Sequence, residues 1–144
     1  MDILADTNVI ARRVQRTHAQ YRQAVDATNR LSIQGHRFCV TSQNLIELWA
    51  ISTRPIQNNG LGFSPAEADR VVAGVEAFVV RLPDSDDVYP EWRRLVSMYG
   101  VSGKKTHDAR LVAAMKVNRV THILTFNVID FVRFDGIVVI DPAA

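Results

Sequence analysis

Asp2-Ile3-Leu4-Ala5-Asp6-Thr7-Asn8-Val9-Ile10 carries a short apolar run into an acidic residue, two polar residues and a second apolar pair. Residues of this type build a strand buried in a parallel sheet. Asp6 then stands at the strand's carboxyl end. In open α/β sheets ligands bind in the crevice beyond those ends, so a carboxylate there is a candidate for chemistry. Asp, Thr and Asn are also good N-cap residues, and the same stretch reads equally well as a strand followed by a capped helix.

Working outward, the chain alternates between the two element types. His18 to Ile33 reads as an amphipathic helix with Tyr21, Val25, Thr28 and Leu31 near one stripe, ended by Gly35. Arg37 to Val40 is a second strand, and Thr41-Ser42 supplies an N-cap for a helix carrying Leu45, Ile46, Leu48, Trp49 and Ile51. Arg54 to Phe63, with Pro55, Asn58, Asn59, Gly60 and Gly62, has turn chemistry and is the expected mobile segment. Ser64-Pro65-Ala66-Glu67 combines an N-cap, a proline at the first helical position and a glutamate at the third, which starts a helix running to Phe78. Val79 to Leu82 reads as a third strand and Asp86 to Tyr99 as a helix with an acidic start. Thr106 is expected to cap a helix from His107 to about Asn118, and strands follow at His122 to Thr125 and Gly136 to Ile140. Strands alternating with helices predict an α/β domain with right-handed crossovers: a mainly parallel sheet of about five strands, covered by helices on both faces.

Composition bounds the function classes. The length of 144 residues fits one domain spanning 1–144, and 47% hydrophobic with 22% charged residues is ordinary for a globular protein. A single cysteine, Cys39, makes neither an internal disulfide nor a cysteine zinc site. With no signal-type segment and no apolar stretch of bilayer length, a cytoplasmic protein without membrane attachment is expected. A net charge of +2 argues only weakly for nucleic acid. Its distribution says more: Arg12, Arg13 and Arg16 follow Asp6, and Lys104-Lys105 precede Asp108, so basic residues border acidic ones. That pattern suits a polyanion handled by metals, and it also suits a solvated helix face carrying Arg12 and Arg16.

Three further acidic positions are candidates. Glu47 lies inside the apolar run Leu45-Ile46-Glu47-Leu48-Trp49, and an unpaired buried carboxylate costs several kcal/mol, so it must face water, a counter-charge or a metal. Gln43, Glu47 and Arg54 are also spaced to form one polar stripe. Asp108 shares a helix face with Leu111, Val112 and Met115, the core-facing one, which aims it from the first turn toward the sheet edge; helix stabilisation is its plainer role. Thr125, Asn127 and Asp130 lie just past the fourth strand as Asp6 lies past the first. If those strands are neighbours, these groups converge on Asp6 across the switch point, although Asn and Asp in such a turn often bond only their own backbone.

The set resembles the PIN-domain nucleases, most closely the VapC-type toxins of type II toxin–antitoxin pairs. The resemblance spans the chain: the opening strand with Asp6-Thr7-Asn8, Glu47 on its helix, Thr106-His107-Asp108-Ala109-Arg110-Leu111-Val112-Ala113-Ala114, and Leu124-Thr125-Phe126-Asn127 with Asp130-Phe131. It implies a PIN-like three-layer fold and an endoribonuclease leaving a 5′-phosphate and a 3′-hydroxyl. Asp6, Glu47, Asp108 and Asp130 match the family's acidic metal-binding residues, with Thr7, Asn8, Thr125 and Asn127 as supporting or substrate contacts. Where some members carry an acid this chain has Asn127, so the fourth carboxylate function rests on Asp130 or is shared through water. The resemblance also implies a homodimer and a cognate antitoxin that inserts a basic side chain among the carboxylates. The apolar helices flanking Arg54 to Phe63 suit an amphipathic partner helix. Mg2+ or Mn2+ is the cofactor this chemistry wants, because several carboxylates at one crevice need a hard cation to offset their repulsion.

Other readings are weaker. His18, His36, His107 and His122 show no paired zinc spacing. An Asp-dependent phosphoryl-transfer enzyme would want a second Asp two residues after Asp6, where this chain has Asn8. A non-catalytic PIN-like binding module of RNA or protein would not need four acidic positions. Trp49 and Trp92 read as core or partner-facing rather than base-stacking.

Overall fold

Strand β1 (Asp2–Ala5) is the middle of a five-stranded sheet in the computed structural model, which describes residues 1–144. Strand β2 (Arg37–Val40) and the two-residue β3 (Val80–Arg81) extend the sheet on one side, β4 (His122–Leu124) and β5 (Val138–Ile140) on the other, in the order β3-β2-β1-β4-β5. Every pairing is parallel, so the expected mainly parallel sheet is wholly so. After β3 the chain returns to the far side of β1. This places the topological switch point between β1 and β4, where Ala5 pairs with Leu124.

The strand period of two sorts the core into two layers. Ile3, Ala5, Phe38, Val40 and Leu124 face one side of the sheet, whereas Leu4, Cys39 and Ile123 face the other. Against the first set pack α1 (Thr7–Val14), α2 (Tyr21–Ile33), α3 (Ser42–Thr53) and α4 (Pro65–Glu76), through Val9, Ile10, Ala27, Leu48 and Val75. Against the second pack α5 (Val88–Tyr99), α6 (Lys105–Val117) and the single turn α7 (Val128–Phe131), through Leu95, Leu111, Met115 and Phe131. The apolar run of β1 is thus covered on both faces, which is why it shows no polar alternation. No helix is long and apolar enough to cross a membrane.

Several boundaries differ from the sequence expectation for local reasons. Helix α2 starts at Tyr21, not His18, because the His18 ring nitrogen accepts from the Gln20 amide at 3.0 Å and holds a turn instead. Helix α1 stops at Val14, so Arg16 is not on one helix face with Arg12. Helix α5 begins at Val88 without a capping side chain from Asp87. Helix α6 begins at Lys105, and Thr106 does not cap it: its hydroxyl donates to the Gly103 carbonyl at 2.7 Å. The capping boxes at Thr41 and Ser64 are both formed. The segment from Arg54 to Phe63 carries a 3-10 turn at Ile56–Asn58 and is tied back to α3, with Leu61 donating to Ile51 and Phe63 to Ser52. Gly60 is required there, since a Cβ would lie 2.0 Å from the Arg54 carbonyl oxygen.

Phe131 is fully buried and anchors α7, the turn that presents Asp130. Truncating a core phenylalanine leaves a cavity, so Phe131→Ala should lower stability by about 3–5 kcal/mol. Urea unfolding measures this; a loss below about 1 kcal/mol would show that α7 is not held by the core.

Candidate active site

Asp6 takes the N-cap role that its sequence position offers, and its backbone extends the pairing of β1. Its backbone continues the sheet, the amide donating to the Leu124 carbonyl at 3.0 Å, and its Oδ1 caps α1 by accepting from the Thr7 amide at 2.7 Å. Its Oδ2 accepts from the Thr125 hydroxyl at 2.7 Å and from Asn8 Nδ2 at 3.4 Å. Thr125, fully buried just beyond β4, in turn accepts from Asn8 Nδ2 and from the Asn127 amide. Asn8 Oδ1 closes the ring by accepting from the Phe126 amide at 3.3 Å. Pairing of β1 with β4 therefore joins Asp6-Thr7-Asn8 to Thr125-Phe126-Asn127 in one hydrogen-bonded unit.

Glu47 enters from the α3 side. Its Oε2 accepts from the Thr7 hydroxyl at 2.7 Å, and its Oε1 accepts from Gln43 Nε2 at 2.9 Å. Asn44, fully buried, donates from Nδ2 to Thr7 Oγ1 at 3.0 Å, so Asn44, Thr7 and Glu47 form a directed relay. Of the polar stripe read from Gln43, Glu47 and Arg54, Glu47 and the exposed Arg54 line the same cavity of about 330 Å3 as Asp6, Thr7, Asn8, Asp108, Asn127 and Arg12, and Gln43 reaches it through its bond to Glu47. Asp130 stands outside that lining. Its Oδ1 lies 3.5 Å from Lys105 Nζ, although its charge is felt at both Asp6 and Asp108.

Sequence reasoning missed Asn44, Gln43 as a bridge, and Lys105 as the partner of Asp130. Asn44 had a signal: it sits three residues after the cap Thr41 and one helical turn before Leu48, a polar residue on a core-facing stripe. Lys105 and Asp130 are far apart in sequence and had none.

Burial pushes the Asp6 carboxyl up to about 6. The hydrogen bonds from Thr125 and Thr7 pull it down, and the charges of Glu47 and Asp130 add to the rise. Asp108 is also pushed up to about 6, by burial first and then by Asp6, Asp130 and Glu47, with His107 opposing weakly. No hydrogen bond offsets the charge on Asp108 as Thr7 and Thr125 offset that on Asp6. As the side chains stand, no three His, Cys, Asp or Glu residues are placed to hold one ion together. The reason is visible in their partners: Asp6 is engaged by Thr7, Thr125 and Asn8, Glu47 by Thr7 and Gln43, and Asp130 by Lys105.

The architecture has solved counterparts. One chain of the Rickettsia felis VapBC2 complex, bound to promoter DNA, aligns over 98% of each chain with a TM-score of 0.72 at 12% identity. A chain of DNA-bound VapBC from Salmonella typhimurium aligns over 99% of this chain and 98% of its own, with a TM-score of 0.70 at 19% identity. This is the PIN-like fold. Among the PIN-like neighbours is also Mycobacterium tuberculosis VapC20, a sarcin–ricin loop cleaving toxin, over 84% of this chain and 86% of its own, at 17% identity and a TM-score of 0.57. These neighbours are VapC toxins of toxin–antitoxin systems. By sequence, neither a family model nor a curated protein matches the chain.

The raised carboxyls make stability depend on pH with a definite sign. In chelator at neutral pH, Asp6 and Asp108 are ionised in folded and unfolded chains alike, and the folded state carries the full repulsion. As pH falls through about 6 toward the unfolded value of roughly 4, the folded state binds the extra protons and gains stability. Asp108→Asn removes a charge that no hydrogen bond compensates. A rise of this size at a fully buried group is worth about 2–3 kcal/mol; half-buried Asp108 is partly screened by solvent, so the variant should gain about 1 kcal/mol at pH 7 and titrate less steeply. Urea melts of both proteins from pH 4 to 7 give the answer, and a variant less stable at pH 7 with an unchanged slope would refute the repulsion.

Proposed function

We propose that the protein is a metal-dependent endoribonuclease acting as the toxin of a toxin–antitoxin pair. The observation that carries the reading is the convergence of Asp6, Glu47 and Asp108 on one crevice at the switch point, with the charge of Asp130 bearing on two of them. The PIN-like neighbours include an RNA-cleaving toxin, which supports the substrate class.

The donor set fits a divalent hard cation: the converging groups are carboxylates, with hydroxyl and amide oxygens behind them and no thiol or imidazole facing the crevice. Asp6, Glu47, Asp108 and Asp130 would hold Mg2+ or Mn2+, which when bound acidifies a water and neutralises charge developing on the phosphoryl oxygens. The chain's own residues do the rest. Thr125 and Asn8 hold Asp6 in one orientation, and the Asn44–Thr7 relay does the same for Glu47. Arg12 and Arg54 bring positive charge to the same cavity. Arg12 is held by Gln20 at 3.2 Å and Gln15 at 2.7 Å rather than by a carboxylate, so its charge is left for an approaching phosphate.

The antitoxin half of the reading draws on a groove of about 350 Å3 between α3 and α4, lined by Leu45, Ile46, Trp49 and Val72 with Glu76 and Arg81 at its edge. Ile46 is 68% and Trp49 37% exposed. An amphipathic helix laid there would cover them. A homodimer is part of the same proposal.

Purified protein incubated with RNA and Mn2+ or Mg2+ should cut to 5′-phosphate ends, and chelator should stop it. Asp108→Asn should remain folded by circular dichroism and cut at least about a hundredfold more slowly, the scale of loss when one essential electrostatic group is removed. Cleavage at the wild-type rate by that variant would overturn the assignment of Asp108, and binding of RNA without cleavage by the wild type would favour a non-catalytic module. Independently of activity, Mn2+ at one hundred times its dissociation constant should stabilise the fold by about 2.7 kcal/mol, and Asp108→Asn should shrink that shift in thermal melts.

A further inference from the structure

A second cavity, of about 410 Å3, lies against the acidic crevice across one turn of helix. Thr106 and His107 line it, and the next residue, Asp108, lines the crevice. The two are also joined by Gln43: its Nε2 donates to Glu47 Oε1 and to the His107 carbonyl, and its Oε1 accepts from Arg110 Nη1 at 3.1 Å. Arg110 is in this second cavity, with Nη2 3.6 Å from Asp84 Oδ1. The Gln43 bond and the Asp84 ion pair draw the guanidinium toward this cavity.

Two aromatic rings line the same cavity. Tyr89 is 66% exposed, and its ring lies 5.8 Å from that of Trp92, tilted by 32°. Trp92 packs partly against the core, and its indole N–H is already donated to the Thr106 carbonyl at 2.8 Å, so what it offers the cavity is ring surface. Two aromatic rings, a guanidinium and a neighbouring carboxylate lining one cavity match a flat heteroaromatic ring whose edge carries donors and acceptors. The size lies in the range of small-ligand pockets.

We propose that the cavity walled by Tyr89, Trp92 and Arg110 is a nucleobase subsite, taking a base next to the scissile phosphate of a single-stranded RNA and thereby setting sequence preference. Unpaired bases are read in this way, by stacking on aromatic rings together with polar contacts to their edges. The proposal rests on the nuclease reading above, and adds to it a residue set outside the acidic crevice. Gln43 is then the positioning residue that ties the base-binding wall to Glu47.

The test uses a random-sequence single-stranded RNA library with Mn2+, sequencing the cut ends, together with steady-state kinetics on the preferred oligonucleotide and on the same oligonucleotide made abasic beside the cut. Wild type should prefer particular bases at one position flanking the cut. Tyr89→Ala, at an exposed position, should erase that preference and raise KM by about tenfold, the scale of one lost base stack, with kcat changed less than about threefold. On the abasic oligonucleotide, wild type and Tyr89→Ala should be equal. Unchanged preference and KM in Tyr89→Ala, or an equal loss on both oligonucleotides, overturns the subsite while leaving the nuclease reading intact. A change in oligomeric mass by light scattering with KM unmoved assigns the wall to a protein contact and overturns it as well. If wild type cuts no RNA, the nuclease reading fails, and the subsite is judged by Trp92 fluorescence in Trp49→Phe: quenching by the library oligonucleotides that Tyr89→Ala abolishes sustains base binding, and no quenching ends it.

Discussion

Negative charge gathered at one edge of a parallel sheet is the constraint around which this structure is arranged. Asp6 is only 6% exposed, yet it sits within reach of the charges of Glu47 and Asp130. Such a group survives in a fold only when donors or counter-charges surround it. Thr7, Thr125 and Asn8 supply the donors, and each comes from the backbone junction that β1 and β4 create side by side. Lys105 provides for Asp130, and Gln43 with Thr7 for Glu47. No buried side-chain nitrogen or oxygen is left without a partner, so at Asp6 the repulsion is offset by hydrogen bonding rather than by exposure to water.

Local signals carried most of the fold. The unbroken apolar character of β1 follows from burial on both faces, and the capping boxes at Thr41 and Ser64 mark helix starts that the structure keeps. Boundaries failed where a side chain took an alternative partner: His18 with the Gln20 amide, Thr106 with the Gly103 carbonyl. Those choices depend on where the preceding turn already lies, which periodicity does not report.

The candidate site was legible as positions rather than as a geometry. Asp6 and Thr125 each follow a strand, which local pattern shows, but that β4 rather than β2 brings its end group onto Asp6 is a fact of strand order between segments more than a hundred residues apart. Glu47 on an otherwise apolar run was ambiguous in sequence, because a polar stripe toward solvent and one toward a crevice have the same spacing. The hydrogen bond from Thr7 distinguishes them. Asn44 shows the complementary case, a residue whose capping role was readable and whose second contact, to Thr7, depended on how α3 packs against α1.

Asp6 and Asp108 show that two carboxyls of one electrostatic cluster are held in the fold in different ways. Both carboxyls are raised to about 6, but Asp6 is built into the β1–β4 junction as cap and acceptor, whereas no hydrogen bond offsets the charge on Asp108. Asp108 stands in the first turn of α6, where the helix dipole favours an anion by at most about 1 kcal/mol near the surface. Burial and three neighbouring carboxylates outweigh that, since the net direction of its shift is upward. Replacing Asp6 would disturb the capping and pairing of the sheet edge along with any chemistry. Asp108 is therefore the position at which the charge of the cluster can be changed without breaking a hydrogen bond of the fold.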